Sequence, residues 1–185
     1  MYELTAGTVI ENGAEASRIL AGCKGIQFVS VTFCGKMPES WTALGDDGCN
    51  WAALPAAATK AMAADLGTAI RKGHVENVWI SFEPWGEDYM LNADFENGWA
   101  ALLYNAIDES AAALYVPRPD GAEDAPVSIG GQTPVPKMCA ADDLDQAAEA
   151  LVCFLESGQF HPEMQWAVLE GNDLPWTETL RRQTG

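Results

Sequence analysis

Cations are scarce in this chain. Ten lysines and arginines stand against 27 aspartates and glutamates, a net charge of -17. Phosphate backbones and anionic membrane surfaces are held by Lys and Arg, so this balance argues against both as direct partners. Histidine is scarcer still, with only His74 and His161, each just beyond the end of an expected helix. Five cysteines (Cys23, Cys34, Cys49, Cys139, Cys153) form no CxxC pair and no Cys/His cluster. Neither a zinc site nor a disulfide framework is encoded, and reduced thiols in a cytoplasmic protein are expected. No apolar run approaches the ~20 residues of a transmembrane helix. The first eight residues carry neither the basic nor the apolar region of a signal peptide. GxSxG, P-loop and HExxH motifs are all missing. No cofactor is expected.

What the chain does have is acid in one place. Between Glu76 and Pro126 lie eleven carboxylates and a single cation, Arg118. The same stretch holds the richest aromatic runs: Val78-Trp79-Ile80-Ser81-Phe82, Trp85, and Trp99 through Tyr104. A disordered acidic tail is poor in aromatics, so this acid is mounted on a folded scaffold. A rigid surface of one sign steers partners of the other. A binding protein for something basic is the first inference, and acid serving solubility alone is the plainer alternative.

The apolar pattern predicts an α+β fold: a mostly antiparallel sheet with two longer helices packed on one face. Strands are expected over 2–9, 26–33, 76–82, 88–94, 98–105, 112–117, 127–129 and 164–169. Asn12 opens a short helix, and Leu54, Ala58, Met62, Leu66 and Ile70 mark a long one over 54–73. The last helix is capped by Asp142, carries Leu144, Ala147, Ala148, Leu151, Val152 and Leu155 on one stripe, and stops at Gly158. Asn97-Gly98 signals a hairpin. One domain is expected over residues 1–172, with 1–50 as a β-α-β extension of a 51–172 core. Residues 173–185 are expected to be a weakly held tail.

The search for catalytic chemistry finds little. Cys153 precedes His161 by eight residues, which suggests a Cys–His dyad. Yet its helical register places Cys153 beside the apolar stripe, where a thiol behaves as a small hydrophobe. Asp94 and Glu96 share a strand face, and Glu83, Glu87 and Asp88 surround Trp85. A glycosidase-like pair needs one carboxyl raised by burial, whereas dense acids usually form a solvated face.

Residues 98–166 carry a resemblance. Gly98-Trp99 leads through Leu103-Tyr104 and Leu114-Tyr115-Val116 to Ile129-Gly130-Gly131. Then follow a helix closing on Phe154-Leu155, Ser157-Gly158, Pro162 and Trp166. This pattern resembles the Imm1-type immunity proteins of bacterial polymorphic toxin systems, with Ser157-Gly158 where that family commonly has Thr-Gly. The resemblance spans roughly 55–168. It implies a non-enzymatic inhibitor that binds a cognate toxin, a nuclease or nucleic-acid deaminase with a basic cleft, in the cytoplasm.

The expected contact residues are Trp85, Glu87, Asp88, Asp94 and Glu96, with Asp120, Glu123 and Asp124 on an exposed turn as a second patch. Trp166 is expected to be structural, filling the core beneath the last helix. Two other readings stay open: a small hydrolase using a carboxylate or Cys–His pair, and a generic acidic ligand-binding module.

Overall fold

The computed structural model describes residues 2–42, 59–106, 110–171 and 174–178. Its centre is strand β6 (Trp99–Asn105), whose apolar run Ala100 through Tyr104 is buried on both sides. Only a central strand covered on both faces reads this way. On one side of it lie β5 (Met90–Glu96), β4 (Val75–Ser81) and β3 (Phe28–Phe33). On the other lie β7 (Ala112–Tyr115), β10 (Gln165–Leu169) and β2 (Val9–Asn12). The order is β2-β10-β7-β6-β5-β4-β3, antiparallel at every pairing. This is the α+β architecture expected from the apolar pattern.

One face of the sheet supports the helices. Val29, Val31, Val78, Ile80, Leu91, Leu102, Tyr104 and Trp166 point into a core shared with α3 (Thr59–Arg71) and α4 (Leu144–Ser157). The expected helix start at 54–58 lies outside the described residues. Asp143, not Asp142, caps α4: its carboxylate accepts the Asp145 N–H at 2.9 Å. Asp142 sits one residue too early and pairs with Arg118 at 2.5 Å. Gly158 closes the helix in the left-handed region, φ +67°. Inside α3, Gly67 lets the two helices approach, since a Cβ there would lie 2.9 Å from Cγ2 of Val152.

The other face carries a second layer over β6, β7 and β10. A second core of Ala101, Leu103, Leu114, Val116 and Ala167 meets Val127 and Val135 from the hairpin β8 (Asp124–Ile129)–β9 (Thr133–Pro136). Strand β9 escapes sequence reading because Pro134 and Pro136 argue against a strand. Its turn is made by Gly130 and Gly131, both at positive φ.

Three expectations are corrected. Residues 2–9 are not one strand: a Thr5–Thr8 turn with Gly7 at φ +94° separates β1 (Tyr2–Leu4) from β2. Asn12 does cap a helix, accepting the Glu15 N–H at 3.0 Å, but α1 (Gly13–Ala16) is a single turn that continues as a 3-10 turn to Leu20. A second single turn, α2 (Glu39–Thr42), follows β3. Within the expected tail, β11 (Trp176–Glu178) pairs antiparallel with β1, and Trp176 is buried in the second core. Burying one indole, on the order of 2–3 kcal/mol, offsets part of the cost of ordering a three-residue strand, about 1–2 kcal/mol per residue. The pairing with β1 adds to that offset. Arg181 and Arg182 lie outside the described residues.

Candidate functional site

The β4–β5 connection, residues 82–89, is built to hold one shape. Ser81 donates its hydroxyl to the Asp88 carbonyl at 2.6 Å and accepts the Glu83 N–H at 3.0 Å. The Phe82 N–H reaches the Tyr89 carbonyl at 3.3 Å, closing the loop at its base. Gly86, at φ +71°, stands on the ring of Phe28, where a Cβ would fall 2.5 Å from Cε1. No L side chain fits that position without movement. The loop thereby presents Trp85 outward, 81% exposed, with Glu83 and Glu87 exposed around it and Asp88 half-buried. A tryptophan left in water forfeits most of the burial free energy available to it. The loop holds one large aromatic in solvent beside three carboxylates.

The remaining expected contacts do not all join that patch. Strand β5 carries Asp94 and Glu96 away from the loop toward the Asn97-Gly98 hairpin, and its two ends are about 20 Å apart at ~3.3 Å per residue. Glu96 is exposed there. Asp94 is half-buried and saturated: it accepts from Asn77 Nδ2 and Asn92 Nδ2, each at 2.8 Å, and from the Gly130 N–H at 3.0 Å. Burial pushes its carboxyl above the usual range, partly offset by these three donors. Asp94 therefore ties the β8–β9 turn to the sheet.

The second patch is also partly engaged. Asp124 accepts the Tyr2 hydroxyl at 2.5 Å. Glu123 pairs with Lys137 at 2.7 Å, and this bond holds its carboxyl below the usual range. Asp120 is exposed. Trp166 is 1% exposed and stacks on Phe160 with ring centroids 4.3 Å apart, so it belongs to the core.

The catalytic candidates separate. Cys153 and His161 line one shallow depression with Arg71, Glu149 and Glu156, of about 330 Å³. The thiol, however, lies 3.8 Å from the Ser157 hydroxyl and 3.9 Å from the Gln159 carbonyl, not on the imidazole. Burial raises its pKa, the reverse of what a nucleophilic thiolate requires. His74 is exposed after α3. Among the described residues no three His, Cys, Asp or Glu side chains gather as metal ligands, and no helix is long and apolar enough to cross a membrane.

One feature escaped the reading of the sequence: the outer face of β3–β4–β5. With Val29, Val31, Val78 and Ile80 in the helix-side core, alternation turns Ser30, Thr32, Asn77 and Trp79 to the opposite face. The polar–apolar alternation in 28–33 is the signal that marks it.

No protein-family model matches the sequence, and neither a curated protein nor a solved structure matches it. The class defined by fold and surface is an α+β protein presenting an acidic, aromatic-anchored patch.

Proposed function

We propose that this protein is an immunity-type inhibitor: a cytoplasmic, non-enzymatic binding protein that occludes a basic toxin, a nuclease or nucleic-acid deaminase, through its acidic surface. The observation that carries this reading is Trp85, exposed on a loop locked by Gly86 against Phe28. Along the chain on either side of it the charge has one sign, with six carboxylates and no Lys or Arg between residues 75 and 98. Glu83, Glu87 and Asp88 share its loop, where Lys24 lines a depression with Glu83. An aromatic anchor gives residence time, and surrounding carboxylates speed encounter with a basic cleft. Occlusion needs no chemistry from the inhibitor. The motif residues from Gly98 to Trp166 add the resemblance to immunity proteins.

The test is coexpression with the C-terminal domain encoded by the reading frame immediately upstream in the source genome. Killing that this protein relieves, with the two copurifying and associating more slowly as salt rises, supports the inhibitor. Killing left unrelieved by the wild-type chain removes the reading for that toxin. An association rate indifferent to salt removes the electrostatic part.

A further inference from the structure

Two depressions meet beside the loop that carries Trp85. Both are lined by Cys23, Lys24 and Phe82, where the turn after Leu20 passes the end of β4. The first, about 370 Å³, adds Ile19, Glu83 and Tyr89. The second, about 310 Å³, adds Ile26, Leu155 and Glu156 at the last turn of α4. Their shared floor is held firmly. Phe82 is buried, its ring lies edge-on to Phe154 with centroids 5.6 Å apart, and Gly158 packs against it. The Cys23 N–H reaches the Leu20 carbonyl at 3.0 Å, and the Gln27 N–H reaches the Ser81 carbonyl at 3.0 Å, so the turn is fastened on both sides. Tyr89 holds φ +51°, a backbone conformation that persists only where the surroundings fix it.

The charges have an order. Among the described lining residues, Glu83 belongs to the first depression only, Glu156 to the second only, and Lys24 to both. Along the cleft this reads minus, plus, minus. All three side chains are exposed, while the walls beneath them are apolar. A long basic side chain suits each end: its methylene stem lies on the apolar wall and its charged head meets the carboxylate. Lys24, at the junction, repels a base and attracts an acid. A run of arginines alone therefore meets an obstacle halfway, which is how like charge imposes specificity.

The size of each depression suits one side chain rather than a domain. In an extended segment alternate side chains face one way, about 6.6 Å apart at ~3.3 Å per residue. Three such residues supply base, acid and base. A second copy of this chain has no such segment, because no two of its ten lysines and arginines stand four positions apart. At the first depression the cleft is continuous with the loop of Trp85, since Glu83 opens that loop.

We infer that the paired depressions about Lys24 take an extended segment of the partner carrying the order basic-Xaa-acidic-Xaa-basic. This rests on the inhibitor reading and specifies the segment bound. Lys24 and Glu156 thereby join Glu83 and Trp85 as contacts.

The experiment titrates the isotope-labelled full chain at low ionic strength with two end-blocked peptides, Ala-Arg-Ala-Asp-Ala-Arg-Ala and Ala-Arg-Ala-Arg-Ala-Arg-Ala, and follows amide resonances. Net charge alone favours the all-arginine peptide. The expected result is the opposite: the aspartate-centred peptide binds at least about fivefold tighter and shifts the amides of Cys23, Lys24, Glu83 and Glu156. Lys24→Glu, at an exposed position, is expected to reverse that order. Tighter binding of the all-arginine peptide by the wild type, an unreversed order in Lys24→Glu, or shifts that bypass Lys24 and Glu156 would each overturn the cleft. So would peptide-free, concentration-dependent shifts at these residues, which would assign it to a second copy. The two readings fail separately. A Lys24→Glu chain that relieves toxin killing as well as the wild type refutes the cleft and spares the inhibitor. A wild type that prefers the aspartate-centred peptide yet relieves no killing does the reverse.

Discussion

Gly86 rests on the ring of Phe28 so closely that a Cβ would intrude to 2.5 Å from Cε1. The two residues belong to β3 and to the loop after β4, 58 positions apart (86 minus 28). Their contact fixes how Trp85 faces water. Gly86→Ala adds both a left-handed alanine, about 1–2 kcal/mol, and an overpacked ring contact, about 1–3 kcal/mol. The expected result is a chain destabilised by about 2–5 kcal/mol in urea unfolding, with a more mobile Trp85 indole. An unchanged midpoint would mean the loop is not seated on Phe28.

Trp85 and Trp166 are opposite cases of one residue type. Trp85→Ala is expected to change stability by no more than about 0.5 kcal/mol, as for exposed sites generally, while weakening partner binding by about 2 kcal/mol or more. Trp166→Ala empties a site packed by Phe160 and Tyr115 and is expected to cost about 3–5 kcal/mol of stability. Paired denaturation and binding curves check both, and a strongly destabilised Trp85→Ala would show that the indole packs rather than waits.

Asp94 makes an unusual pH prediction. Its carboxyl is raised by burial, so the folded state holds the proton more tightly than the unfolded chain, whose Asp titrates near 3.9. Between those two values the folded state binds more protons, so this group's contribution to stability falls as pH rises and grows as pH drops. All three of its partners are donors (Asn77, Asn92, Gly130). Asp94→Asn turns an amide N–H₂ toward at least one of them and is expected to cost about 1–3 kcal/mol at neutral pH. The wild type's advantage over Asp94→Asn should widen on acidification through that window. A narrowing advantage would place the folded carboxyl below its ordinary value instead.

Gly67 and Val152 are expected to couple. Alanine at 67 gains helix propensity of about 1 kcal/mol but sets its methyl 2.9 Å from Cγ2 of Val152. Val152→Ala removes that obstruction. A double-mutant cycle should return a coupling energy of about 0.5–3 kcal/mol favouring the double variant over the sum of the singles. Strict additivity would mean that α3 and α4 do not meet at this point.

Buried Cys139 and half-buried Cys153 should resist alkylation. Burial pushes Cys139 up to about 12 and raises Cys153 above its ordinary value, leaving little thiolate at neutral pH. Iodoacetamide labelling read by mass spectrometry should find Cys139 unmodified in the native chain and modified in denaturant. Cys153 should react more slowly than a free cysteine. Fast labelling of Cys153 would reopen the Cys–His pair as a nucleophile.

Parts of the fold were legible where one local signal sufficed. Asn97-Gly98 forms its hairpin with both residues at positive φ, because a two-residue turn of this hand demands it. The stripe of α4 shows in the periodicity of Leu144 through Leu155, though its cap falls one residue later than read. Strand β9 was hidden by its prolines. Strands β1 and β11 were hidden by shortness, since three residues carry no period.

The candidate site was less legible. Trp85 is conspicuous in sequence because Pro84 and Gly86 set it in a turn among acids. Nothing local distinguishes Asp94, consumed by three donors, from Glu96, which stands free two residues on. Trp79 lies between core residues Val78 and Ile80, and only alternation hints that it faces the other way.

By itself the sequence determined the sign and density of charge, the α+β class and the helical and strand periods. These follow from composition and from neighbours a few residues apart. Tertiary structure alone decided which carboxylates are engaged, which strands the β8–β9 hairpin covers, and that β1 pairs with β11. Those outcomes depend on partners far apart in the chain: Asp94 with Gly130, Asp124 with Tyr2, Gly86 with Phe28. Burial and hydrogen bonding at such separations arise only when the sheet assembles, and no pattern along the chain records them.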